Sequence, residues 1–458
     1  MAYATLSCSL KDNKSQPYGF CRALVTHVRA NMQQSITDKH QETDNYFDDG
    51  YEKFGWLLEE QGYSTEAEDL QVQILNVRKR VLGVDNLDTI RAMAHVAPTY
   101  ASLGKYMKAE KLEKHVLDAR NRILGVEHPD TIMAMANLAR TITRLGDYNE
   151  AEKLDKHVLD VRSRVLGSEH PDTTMAMANL ARTYAHLGGY NEAEKLERQV
   201  LDARNRILGS EHPATIRAMG NLAGTYADLG GYNEAEKLEK QVLDARNRIF
   251  GVEHPDTILA MANLAATYGS LGKYNEAEKL EMQVLDPRNR ILGSKQPHTI
   301  LAMANLAATY VSLGKYNEAE KLAKQVLDAR NIILGVKHPD TLMAMANLAV
   351  SYSTLGNYIE AEKLEEQVLD ARNRILGPEH PGTILAMANL AVTYHTLGNY
   401  TEAEKLQKKV LDARNRLLGE EHPDTISAIE SLAVIYHDQG DYAEAEKFKI
   451  QTLNAKNR

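Results

Sequence analysis

The dipeptide His-Pro occurs at His128, His170, His212, His254, His338, His380 and His422, always 42 residues apart or a multiple of 42, and Gln296-Pro297 fills the one gap. A fixed period of this length leaves few possible folds. Each period is one small supersecondary unit that cannot bury its own apolar faces, so the units must stack into an array. Carrying the register backward places two earlier starts, at Asn86 and Asp44. The array then covers 44–458 as ten units, with 44–85 a degenerate first unit and 422–458 a short last one. Residues 1–43 form a helical or irregular lead-in.

One period, 170–211, shows what the unit is. Met177, Leu180, Tyr184 and Leu187 recur at steps of three and four, which mark one face of a helix, and Gly188-Gly189 end it. Tyr190, Ala193, Leu196, Val200, Ala203 and Ile207 then mark a second, longer helix. Gly209 stands where a left-handed C-terminal glycine is expected. The following Pro-Asp-Thr reads as the next helix start, with Pro in the first turn and Asp or Thr able to cap. Each period is therefore a helical hairpin, helix A then helix B. The skewed aromatic content, 22 Tyr against 5 Phe and 1 Trp, follows from copying. Tyrosines late in helix A (Tyr184, Tyr226, Tyr268) and at the start of helix B (Tyr148, Tyr190, Tyr400) recur in register.

Leu180, Ala181 and Tyr184, followed by Gly188, Tyr190 and Ala193, resemble the tetratricopeptide repeat (TPR). The 42-residue period, with its HPDT, EAEKL and LG-x-E-HP signatures, is similar to the kinesin-light-chain type of that repeat. The resemblance implies an all-α, right-handed superhelical solenoid, with helix A lining the concave face. It also implies a non-enzymatic scaffold that binds extended peptides or protein partners in that groove. A second resemblance lies in HVRANMQQ and YFDDGYEKFGWLLEEQGYSTEAEDL. These segments look like the junction before the repeats in fungal NACHT or NB-ARC receptors. That kinship implies a ligand-sensing array whose ATPase is missing from this chain or supplied by another, since no G-x-x-x-x-G-K-[ST] loop is present.

Composition narrows the function further. The net charge of −9 argues against nucleic acid as a partner, because phosphate binding needs a concentrated basic face. No run of 18 apolar residues suggests a membrane span. The start lacks a secretory signal, and two cysteines, Cys8 and Cys21, suit a cytoplasmic protein. The periodic histidines recur once per unit, too far apart to ligate one metal, so loop packing or capping is their expected role. No cofactor motif and no nucleophile context is present, so no catalytic residue is assigned. Glu192, Glu194, Lys195, Glu197 and Arg198 mix charges at helical spacing and read as a solvated outer face.

The sharpest candidate site is an asparagine ladder. Asn137, Asn179, Asn221, Asn263, Asn305, Asn347 and Asn389 hold one helix-A position in seven consecutive units. Asparagine is a poor helix-interior residue whose amide both donates and accepts. In peptide-binding members of the resembled family, an Asn before the helix-A Leu clamps the ligand backbone. The alternative is that each amide bonds the neighbouring unit.

The surrounding positions change along the chain. Arg91, Arg140, Arg144, Arg182 and Arg217 make the groove basic in units two to five. Leu259, Leu301, Met343, Leu385, Val350 and Val392 make it apolar in units six to nine. A ligand with an acidic part and an apolar part fits this pattern. Pro98 and Pro287, inside helices, are expected to kink them, and the last unit reads as a polar cap.

Overall fold

The computed structural model describes residues 49–60 and 63–456; the lead-in of residues 1–43 lies outside them. Among the described residues there are twenty α-helices and no strand. They alternate as A and B helices in the expected register. In repeat four, for example, helix A is Pro171–His186 and helix B is Tyr190–Leu208. The chain divides into two compact units, residues up to Gly231 and residues from Tyr232. Each is a stack of antiparallel helix pairs.

The helix starts differ from the sequence expectation in which residue caps them. It is the histidine, with its Nδ1 accepting the backbone N–H two residues on. The distances are 3.2 Å for His128 to Asp130, 3.1 Å for His254 to Asp256 and 3.0 Å for His380 to Gly382. The proline follows at the first helical position, where a missing N–H costs nothing. The threonine expected to cap is instead buried, as at Thr173 and Thr257. Gln296 stands at the cap position of repeat seven and makes no side-chain cap bond.

The helix ends also need one correction. Gly209 has φ +83° and ψ 163°, not the left-handed helical geometry, although a side chain would still be strained there. The left-handed form closes helix A at Gly146 and Gly440. Helices continue through both interior prolines, Pro98 within Leu87–Ser102 and Pro287 within Tyr274–Leu292.

The core is continuous within each unit because every cluster draws on adjacent repeats. In the first unit, Met177 and Val200 of repeat four pack with Ala218 of repeat five and Leu159 of repeat three. In the second, Ile258, Met261 and Val284 pack with Ala302 of the next repeat. Each buried Leu or Met contributes roughly 1.5–3 kcal/mol, so one hairpin alone would leave most of that unrealised.

A polar clasp repeats beside this core. A helix-B arginine reaches the first turn of the following A helix and donates to a backbone carbonyl. Arg162 bonds Asp172 O at 2.9 Å and Arg204 bonds Ala214 O at 3.0 Å. In the second unit Arg246, Arg330 and Arg414 do the same at 2.7 Å. The last helix, Tyr442–Lys456, is not the polar cap expected. Leu453 is 60% exposed, whereas Leu411, its equivalent one repeat earlier, is 8% exposed against repeat ten.

Candidate functional site on the A helices

Positions four, seven and eleven residues after the first exposed apolar residue of helix A share one helix face. In repeat three this stripe is Met133, Asn137, Arg140 and Arg144; in repeat four it is Met175, Asn179, Arg182 and His186. Repeat five adds Arg217, Asn221, Gly224 and Asp228. All three lie in the first unit. The second unit carries Leu259, Asn263, Ala266 and Ser270, then Leu301, Asn305, Ala308 and Ser312. Met343, Asn347, Val350 and Thr354 follow, then Leu385, Asn389, Val392 and Thr396.

The opposite face of each A helix is buried, as Ile258, Met261, Leu264 and Ala265 show. The stripe itself faces outward. Met133, Met175, Leu259, Leu301, Met343 and Leu385 are each about half exposed, and Val350 and Val392 are exposed as well. Large apolar side chains repeated on an open face mark a contact surface more often than chance placement does.

Two of the asparagines are engaged. Arg140 donates to Asn137 Oδ1 at 3.3 Å and Arg182 to Asn179 Oδ1 at 3.1 Å, each within one helix. No hydrogen bond to another described residue accompanies the amides of Asn221, Asn263, Asn305, Asn347 and Asn389. Of these, Asn221, Asn263, Asn305 and Asn347 are exposed and Asn389 is half-buried.

The cations separate into two groups. Arg91 is paired with Asp88 at 3.1 Å and Glu52 at 3.7 Å, so its charge is already met. Arg140, Arg144, Arg182 and Arg217 have no ion-pair partner among the described residues. Desolvation, opposed by Asp155 and reinforced by Arg144 and Arg140, pulls the Arg182 guanidinium below its usual range. That crowding favours an anion.

Sequence reasoning missed a second polar feature. Glu197, read above as part of a solvated face, is buried and accepts a hydrogen bond from Thr225 of the next repeat at 2.6 Å. Asp155 accepts from Thr183 in the same way at 2.8 Å. Burial pushes both carboxyls above the usual carboxylate range, and the threonine hydroxyls oppose it. The available signal was a carboxylate and a Thr each recurring once per period. Among the described residues no helix is long and apolar enough to cross a membrane.

Comparison with known proteins agrees with this architecture. Family models described as tetratricopeptide repeat match residues 51–88 and 89–130, then 130–206, 198–248, 218–290, 299–374, 340–415 and 383–458. Among solved structures, one similar protein is a putative kinesin light chain from Podosopora anserina with nearly identical TPR-like repeats. It is 31% identical, with 45% of this chain and 99% of that one covered, at a TM-score of 0.42. The quorum sensor NprR from B. thuringiensis is 14% identical over 80% of this chain and 99% of its own, at 0.58. A signal-transduction ATPase from Pyrococcus horikoshii with a tetratricopeptide repeat sensor is 16% identical. There the alignment covers 83% of this chain and 54% of that protein, at 0.56. No curated protein sequence matches the chain.

Proposed function

Because the chain belongs to the tetratricopeptide repeat family, we propose that it is a non-catalytic scaffold that binds extended peptide segments of partner proteins along its A-helix stripe. The observation that carries this reading is the row of unbonded amides at Asn263, Asn305 and Asn347, each beside an exposed Leu or Met. An extended ligand needs its backbone N–H and C=O groups satisfied at regular intervals. Amides recurring once per repeat offer both partners, and the apolar residues beside them receive alternate side chains.

Each unit presents its own chemistry to a ligand. The first unit presents Arg140, Arg144, Arg182 and Arg217 to carboxylates. The second presents Leu259, Leu301, Val350 and Val392 to apolar side chains. Bound to a motor, the array would work as a kinesin-light-chain-like adaptor. Beside a nucleotide-switched ATPase, the same stripe would be the sensing surface.

The test is a peptide-array screen on the purified chain, repeated with Asn263→Ala and Asn305→Ala together. Retained melting temperature with at least tenfold weaker peptide binding supports the reading. Undiminished binding of every captured peptide overturns it.

A further inference from the structure

Outside the A-helix stripe, a line of ion pairs runs along the loops that join one repeat to the next. The residue just before each His-Pro position is acidic in most repeats, and an arginine 37 residues later meets it. Asp85 pairs with Arg122 at 2.9 Å, Glu127 with Arg164 at 2.7 Å and Glu169 with Arg206 at 2.7 Å in the first unit. In the second unit Glu253 pairs with Arg290, and Glu379 pairs with Arg416 at 2.9 Å.

The line breaks in repeats seven and eight. Lys295 and Lys337 occupy the acidic position. Ile332, 37 residues after Lys295, stands at the arginine position and is 68% exposed, and Val336 and Ile291 are also more than half exposed. Arg374, whose loop partner has become Lys337, turns to Asp370 at 3.0 Å. His298 replaces the first-turn Asp present at Asp256 and Asp340. Neither lysine has an ion pair among the described residues. Loss of one partner would leave a lone charge; here both partners of a pair changed, and the charge reversed while an apolar side chain took the vacated place.

We propose that this loop edge of repeats seven and eight docks an acidic segment of a partner protein, with one apolar side chain seated on Ile332 between the two lysines. Exposed Ile332, with Val336 beside it, supplies the desolvated centre that gives affinity, and Lys295 and Lys337 at the rim select and steer carboxylates. In a chain of net charge −9 this reversal is local. A long polyanion laid along the edge would meet Glu253 and Glu379 on either side, whereas a short acidic segment would not. The site uses none of the A-helix residues named above, so it stands or fails separately from them.

The test uses the full chain and a fluorescein-labelled dodecapeptide of alternating Glu and Leu, read by fluorescence anisotropy. Lys295→Glu combined with Ile332→Arg and Lys337→Glu gives this edge the side chains of its sibling repeats, which fold. Ile332→Ser alone is the smaller change. The expected result is at least tenfold weaker binding for the first variant and several-fold for the second. Affinity should fall with added salt, and Lys195→Ala, an exposed outer-face change in repeat four, should leave this binding unchanged. Absent binding, equal affinity for the triple variant, or equally tight binding of a single-stranded oligonucleotide or anionic vesicle at the same edge overturns the proposal.

Discussion

Thr225 of repeat five donates its hydroxyl to Glu197 of repeat four across 2.6 Å, and both side chains are buried between the two repeats. The same rung joins Thr183 to Asp155 at 2.8 Å. At the amino-terminal end of the first unit Gln71 takes the carboxylate position, and the Thr99 hydroxyl lies 2.8 Å from both Gln71 Oε1 and Glu59 Oε2. In the second unit Glu239, Glu281 and Glu365 occupy the carboxylate position, all buried, and Gln407 ends the series. Buried carboxylates therefore form part of the packing between repeats, where an apolar core alone was expected.

Replacing the donor exposes the cost of this arrangement. Thr225→Val removes the hydroxyl and leaves the buried Glu197 oxygen without its partner, which costs about 1–3 kcal/mol. The expected result is a lower urea midpoint for the full chain, with Thr225→Ser close to the parent. An unchanged midpoint for the valine variant would show that the rung carries no stability.

The rungs also make stability depend on pH. Burial, with a smaller contribution from Glu278 and opposition from Thr309, pushes the Glu281 carboxyl up to about 7. The folded chain therefore holds this proton more tightly than the unfolded chain. The resulting stability is complete below the ordinary carboxylate range and is lost as pH rises through about 7. Burial moves Glu239 and Glu365 in the same direction. Melting temperature should fall between pH 5.5 and pH 8. Glu281→Gln should raise it at pH 8 and flatten the dependence, and a profile identical to the parent's would refute the assignment.

The histidine caps can be tested in both directions. His254→Ala removes the acceptor for Asp256 N–H and should cost about 1 kcal/mol. Gln296→His adds the bond that repeat seven lacks and should gain a similar amount. Thermal melts of the two variants should shift in opposite directions.

Pro287 sits in helix B where Ala245 and Ala329 stand in neighbouring repeats, and the helix continues through it without the N–H that would bond one turn back. Pro287→Ala should stabilise the second unit by up to about 3 kcal/mol. Hydrogen exchange along Tyr274–Leu292 should slow in this variant, and a loss of stability would mean that the proline is needed there.

Much of this was legible from the 42-residue register. Steps of three and four placed both helices, the glycines placed their ends, and once their spacing excluded a shared metal the periodic histidines were left with loop packing or capping. The face of the A helices that carries the asparagines was also legible, because a 3.6-residue turn decides which side chains share a side. The capping residue was misread as Asp or Thr because His competes for the same N–H. Glu197 was misread because its spacing matches that of its solvated neighbours Glu194 and Arg198.

What the sequence alone determined is where each helix lies and which of its apolar residues turn toward the core, because both depend on residues within one or two turns of each other. The tertiary structure alone decided which side chains meet across repeats. Thr225 finds Glu197, Arg204 finds the Ala214 carbonyl, and Arg206 finds Glu169. These pairings join residues on different helices, whose separation is set by how one hairpin packs on the next, and no periodicity along a single helix encodes that distance.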